Sequence, residues 1–447
     1  MNTASAMNAR GPLAVWLYGT QVATLSEGRG INLTWTAQAY QRWGSNARVV
    51  SNLLPISRPG KGALPPRVAA FLTGLLPEGN ARLNYAMDAG LAPEDTYGLI
   101  SRYGRDTAGA LVFQPLDELE PLKVGHYEPL SEAEAGQRLL NIDRHSPTDP
   151  QMRGVESISL AGMQPKIGLH RDASGWQACK AGAPSTWIVK LAHPADSRAA
   201  DVVDTEVLAI ELARIIGLTT VTAEIVDLAG VRAIAVSRYD RVETVDGVQR
   251  IHQEDLAQAL GINTNDPGRK FQRGNLTPSL KDAAQVLRDG GSEPDRLLAL
   301  VSFNHLIGNT DFHAKNISFL RHVDGTATLG PAYDTAMHLH HPGGARLSAL
   351  DINGKYRIDD INADDLIAEG VSWGLPSHRA RAIVTDTVDQ LRAAMEATEF
   401  DRYPTIPNIA IETVQDRLLT ASQDLAGGLI TPADIGQLTD RARKTRR

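Results

Sequence analysis

The spacing of apolar residues divides this chain into three parts. Up to about residue 115 the pattern is strand-like. LAVWLYG (13–19) and QVATL (21–25) read as a hairpin turning near Gly19 and Thr20, INLTW (31–35) continues it, and ALVFQP (110–115) reads as a closing strand. Between them RVAAFLTGLLPEG has helical spacing and stops at Gly79. The acidic, proline-bearing stretch 115–132 reads as a linker. From about 155 to 240 short strands return as SISLA, KIGLH, WIVKL, TAEIVDL and VRAIAVSRY. One helix, 204–218, interrupts them. Its apolar residues Val207, Leu208, Ile210, Leu212, Ile215 and Ile216 follow the helical period, and Gly217 can cap its end. From 252 onward helices dominate, among them EDLAQALG, DRLLALVSFNHLIGN and HRARAIVTDTVDQLRAAMEA. No repeat of 20–50 residues suggests a solenoid. The pattern predicts an α+β protein with a β-rich unit (1–115), a small lobe of sheet plus one helix (116–240) and a mainly helical lobe (241–447). A cleft between the last two would be the place for a ligand.

Composition narrows the class. The 447 residues are 42% hydrophobic and 22% charged, ordinary for a soluble globular protein, with a net charge of −7. That sign disfavours direct DNA or anionic-membrane binding by the surface as a whole. A single cysteine, Cys179, excludes an internal disulfide and fits a reducing compartment. No run approaches the ~20 apolar residues of a membrane helix. The opening MNTASAMNARGPLAVWLYG lacks the layout of a secretory signal, so a cytoplasmic protein is expected. The basic tail RARKTRR reads as a solvated end.

The densest chemistry lies in HLIGNTDFHAKNISFL (305–320). The helix ends near Gly308, a loop carries Asp311, His313, Lys315 and Asn316, and ISFL begins a strand. An aspartate able to take a proton from a hydroxyl, followed by an asparagine able to hold a metal ion, is the arrangement of phosphoryl transfer in kinases. The same residues could instead be turn-formers. Asp334, in GPAYDTAMH, follows one short hairpin later, where a second oxygen ligand for Mg²⁺ would belong. Upstream, Lys190 sits inside the apolar strand TWIVKL, and the next helix offers Glu206 as its partner. Otherwise Lys190 would be an edge lysine snorkelling to water. ESISLAGMQPKIGLH, just before that strand, could cradle phosphate with its turn (Gly162, Lys166) or be a plain hairpin.

In order and spacing these segments resemble the HipA family, serine/threonine kinases that act as toxins of bacterial toxin–antitoxin modules. The resemblance runs through FLTGLLPEGNAR, GRDTAGAL, SLAGMQPKIGL, WIVKL, VSRYDR, IHQEDLAQALG, GNTDFHAKN and AYDTAMH. It implies a two-lobed protein-kinase-like fold with an extra N-terminal subdomain, and ATP and Mg²⁺ as cofactors. It casts Asp311 as catalytic base, Asn316 and Asp334 as Mg²⁺ ligands and Lys190 as the phosphate contact. His313 and Tyr333 match positions lining the nucleotide site, and Ser237, Arg238 and Tyr239 match the lobe connection beside adenine. Asp240 and His252–Asp255 match conserved polar positions near the cleft. Ser159, or Ser157 two residues earlier, matches a site of autophosphorylation. Pro165 departs from the family's polar residue and removes one N–H from the loop. The family's partner is HipB, a helix-turn-helix antitoxin that would bring the chain to operator DNA indirectly. Its substrates include aminoacyl-tRNA synthetases.

Three alternatives stand beside this reading: a small-molecule kinase on the same scaffold, a catalytically silent antitoxin-binding module, and a metal site built by His338, His340 and His341 in MHLHHP.

Overall fold

The first hairpin turns through Tyr18 and Gly19, both in left-handed backbone (φ 49° and 73°), which pairs Leu17 with Thr20, one residue earlier than the spacing suggests. Two such residues match the right-handed twist of the flanking strands. The protein is described by a computed structural model over residues 10–118, 125–143, 164–274 and 277–427. In its N-terminal part, strands 13–17, 20–27, 31–35, 62–63 and 112–115 form one antiparallel sheet with 112–115 on the edge beside 13–17. Leu17, Leu25, Trp35, Phe71 and Phe113 form its core with the helices alongside.

The expected helix ending at Gly79 is two helices, Pro65–Gly74 and Gly79–Ala89. Pro77 cannot continue the first and leaves Glu78 in extended backbone between them. Gly74 allows a close approach: a Cβ there would lie 2.3 Å from Cγ of Gln258, in the helical lobe.

The middle part is a six-stranded antiparallel sheet in the order 223–227, 232–237, 187–191, 166–172, 175–180, 126–129. Its residues alternate between two cores. Ala233, Ala235 and Val189 face the helix Glu132–Asp143, while Ile234 and Val236 face the helix Val202–Ile215. The supposed linker therefore supplies the edge strand His126–Pro129, and the helix after it covers one face of the sheet through Ala135, Leu139 and Ile142. The helix Val202–Ile215 closes as expected at Gly217, whose φ of 74° lets the next N–H reach back to Ala213. The strand expected at SISLA, and with it Ser157, Ser159 and Gly162, lies outside the described residues.

The helical lobe packs Ala363–Ser372, Ser377–Ala397 and Asn408–Leu425 around Asp295–Leu306, with Phe303, Val384, Leu391 and Val414 at the centre. EDLAQALG splits into a strand, Gln253–Asp255, and a short helix, Leu256–Leu260, because Asp255 and Gln258 form a capping box.

All three parts meet at a buried ionic joint. Arg238 donates from Nε and Nη2 to Asp240 (2.9 and 2.8 Å), and Arg241 donates to Asp106 of the N-terminal part (2.7 Å). The N–H of Gly109 and the carbonyl of Thr107 complete it. Nearby, His252 bonds the Val50 carbonyl (2.8 Å), and Glu254 receives Ser51, Asn52 and Arg321. Removing one carboxylate would leave buried guanidinium groups uncompensated. Asp240→Ala is expected to destabilise the protein by about 3–5 kcal/mol, read from denaturant unfolding.

Candidate active site

Lys190 lies on the sheet face opposite Val189, directly across from Lys166 on the neighbouring strand. Two cross-strand lysines repel unless anions lie between them. Lys190 has both: Nζ donates to Glu206 at 2.7 Å and contacts Asp334 even more closely. Burial disfavours its charge, but the two carboxylates outweigh that and raise its pKa. Burial, partly offset by Asp334, lowers Lys166 to about 8.

Asp334 follows the hairpin Ser318–Arg321 and Ala327–Leu329, the two short strands expected between it and Asn316. Its backbone is left-handed (φ 52°), a conformation aspartate tolerates better than most residues. Burial would raise its pKa, but Lys190 and Lys166 pull it below the ordinary carboxylate range.

Asp311 sits on the loop after the helix Asp295–Leu306. Its backbone N–H donates to Asn309 Oδ1 (2.9 Å), and its carbonyl accepts from Asn316 Nδ2 (2.9 Å). The side chain keeps 57% of its surface open. Desolvation by the surrounding walls, with the charge of Asp334 adding to it, pushes the carboxyl up to about 6. His313 approaches Asp311 at 3.9 Å and stands edge-on to Phe271. Burial and then Lys270 lower it to about 3, so it is neutral, and its Nδ1 has no hydrogen-bond partner among the described residues.

These groups share one cleft of about 620 Å³, which also receives Ser237, Tyr239 and Tyr333. Asp311 and Asp334 therefore open into the same space. Tyr239 and Tyr333 stand 5.5 Å apart, ring to ring; Tyr333 donates to the Lys315 carbonyl (2.6 Å), and Ser237 Oγ accepts from the Thr222 N–H (2.8 Å). Arg238 reaches the cleft wall, but its guanidinium turns away into the ionic joint. Asp240, Gln253 and Asp255 line the cleft as well, Asp240 with its carboxylate in the joint, while His252 bonds the Val50 carbonyl beside it.

Three contributions were not foreseen. Glu78, from the N-terminal part, enters the cleft and pairs with Lys270 (3.2 Å) and Lys315 (3.6 Å). Lys315 lines the cleft, but its ammonium is engaged by protein groups: it bonds Asp255 (2.9 Å) and the Gly74 carbonyl (3.1 Å). Asn304 is the third. Its Oδ1 accepts from Asn309 Nδ2 and from the Thr335 hydroxyl, both at 2.8 Å, and so fixes the loop of Asp311 against the loop of Asp334. The sequence signal for Asn304 was a polar residue inside the apolar run of VSFNHLIG. Glu78 and Lys270 are 192 positions apart, and nothing local pairs them.

Comparison with known proteins agrees with this architecture. Residues 158–395 match the family described as HipA-like C-terminal domain, and residues 13–114 that described as HipA N-terminal domain. A Sinorhizobium fredii protein named "Putative kinase Y4mE" is 33% identical over 364 residues, 77% of this chain and 83% of that protein. The "Serine/threonine-protein kinase toxin HipA" of Shewanella oneidensis is 28% identical over 363 residues, 77% of this chain and 79% of that one. A solved complex of Shewanella oneidensis HipA with HipB and its operator DNA matches with a TM-score of 0.73 at 23% identity, over 93% of this chain and 97% of that one.

Fold and cleft define a two-lobed enzyme of the protein-kinase class with an added N-terminal subdomain. The chain belongs to the HipA family. No helix among the described residues is long and apolar enough to cross a membrane.

The role of Asn304 is open to measurement. Asn304→Ala leaves the buried amide of Asn309 and hydroxyl of Thr335 without an acceptor. A loss of about 1–3 kcal/mol per group is expected in the unfolding free energy, together with slower phosphoryl transfer.

Proposed function

We propose that this chain is an ATP- and Mg²⁺-dependent serine/threonine protein kinase, the toxin of a toxin–antitoxin pair. The observation that carries the reading is the convergence of Lys190, Asp311, Asn316 and Asp334 on one cleft. The volume suits a nucleotide, and the donor set suits a hard cation. Asn316 commits its amide nitrogen to the Asp311 carbonyl, which leaves its Oδ1 for a cation, and Asp334 offers a carboxylate. These two residues would hold Mg²⁺, which when bound neutralises phosphate charge.

Every other role falls to the chain's own groups. Asp311, anchored through Asn309 and Asn316, accepts the proton of the incoming serine or threonine hydroxyl as its oxygen bonds to the γ-phosphorus and the bond from that phosphorus to the bridging oxygen breaks, releasing ADP. Lys190, held by Glu206, offers its ammonium to the phosphates, and Lys166 lies beside it on the same face. The backbone from Ser237 to Tyr239 is the proposed adenine edge, with Tyr333 and the neutral His313 as apolar walls.

The substrate proposed is a translation factor such as an aminoacyl-tRNA synthetase, and the partner a HipB-like helix-turn-helix protein that contacts operator DNA on the chain's behalf. The Shewanella relative, seen with HipB and operator DNA, supports the partner, and the net charge of −7 fits indirect DNA contact. Ser159 or Ser157 is the proposed autophosphorylation site, where added negative charge would repel the nucleotide's phosphates. The cytoplasm is the proposed location.

The test is phosphate transfer from labelled ATP by the purified full chain. Wild type is expected to label itself on Ser157 or Ser159, and Asp311→Asn to lose about 10²–10⁴-fold in rate while still binding nucleotide. Absence of label with equal ATP turnover by the two proteins would favour a silent binding module instead, and Asp311-dependent turnover without label on any protein would point to a small-molecule kinase. The pH dependence has a definite sign. With its carboxyl at about 6, Asp311 is protonated and idle below that pH. The rate should therefore climb as pH rises through about 6, and this limb should vanish in Asp311→Asn.

A further inference from the structure

Asp201 stands at the head of the helix Val202–Ile215 but makes no capping bond with its side chain. Aspartate at that position ordinarily accepts an N–H of the first turn. Here both carboxylate oxygens are taken by imidazoles instead: His340 Nε2 meets Oδ2 at 2.6 Å, and His341 Nε2 meets Oδ1 at 2.8 Å. The two rings are 4.1 Å apart between centroids. The His340 side chain is 97% buried, and its Nδ1 has no partner among the described residues. One ligand atom from each of the three residues falls within 4.8 Å of the others.

We propose that Asp201, His340 and His341 form a binding site for a borderline divalent cation such as Zn²⁺. Two imidazole nitrogens and one carboxylate oxygen are a ligand set that suits Zn²⁺, and three protein donors leave one position for water. An ion entering here replaces two N–H···O bonds with two N–metal bonds and one O–metal bond, and each imidazole carries its ring proton on Nδ1 instead. The site's ligand set differs from that of the oxygen donors Asn316 and Asp334, which suit a harder ion, although His341 lines the same cleft as they do. Its place gives it a consequence. Asp201 begins the helix that presents Glu206, and His340 and His341 follow Asp334 by six and seven residues. The ion would fasten to each other the two segments whose carboxylates hold Lys190.

The test uses metal-stripped full-length protein without nucleotide or Mg²⁺, so its outcome is independent of phosphoryl transfer. Zn²⁺ is titrated against a chromophoric chelator, and Co²⁺ is added separately to read its visible absorption. Wild type is expected to take one tight equivalent, to show the intense band of four-coordinate Co²⁺ with nitrogen ligands, and to gain thermal stability with Zn²⁺. Asp201→Asn, which keeps size and one accepting oxygen, and His341→Ala, at the more exposed ring, should each weaken binding at least about tenfold and remove the Co²⁺ band. Circular dichroism of the metal-free variants confirms that they fold. Wild type without a tight equivalent, or folded variants that bind as wild type does, would overturn the proposal.

Discussion

An ammonium group taken out of water is tolerated only where anions receive it, and Lys190 sets that condition for the whole cleft. Desolvating such a charge costs several kcal/mol unless its partners are close and well aimed. Here they come from elements that have no other reason to meet: Glu206 from a helix laid across the sheet, Asp334 from a turn in the helical lobe. The strand alternation that puts Val189 into a core puts Lys190 on the other face. The cleft is thus fixed by charge pairing before any ligand enters it, and the same charges perturb the groups around it. Asp334 is held ionised while Asp311, without a lysine in contact, is pushed towards neutrality.

The N-terminal subdomain belongs to this electrostatic arrangement. Glu78 supplies the counter-charge for Lys270, and the carbonyl of Gly74 receives Lys315. Asp106 neutralises arginines of the lobe connection from the same side. What the sequence presents as a leading β unit and a two-lobed remainder is, in charge terms, one body.

The legible parts of the sequence were those with short-range causes. Strand alternation located the hairpins, the loop after Gly308 declared itself by its polar density, and the distance from Asn316 to Asp334 was that of the hairpin found between them. The helix break at Gly74 was missed because the apolar period runs on through Leu75 and Leu76, although Pro77 gave the reason for it. The edge strand His126–Pro129 was missed because proline and acidic residues read as a linker, yet a strand paired on one side only can carry them. Least legible were pairings between distant positions. Nothing local distinguishes Glu78 from a surface glutamate, and the arginine of VSRYDR gave no sign that its guanidinium would face the joint.

The left-handed backbone at Asp334 narrows what evolution can place there. Two filters act on that position at once, a negative charge to meet Lys190 and a positive φ that β-carbon crowding makes unfavourable for most side chains. Glutamate satisfies the first and strains the second, whereas alanine fails both. Asparagine and glycine keep the turn while giving up the charge. Descendants of this fold that abandon catalysis but retain their shape should therefore drift to asparagine or glycine at this turn, a signature distinct from the broad scatter expected at an ordinary exposed aspartate.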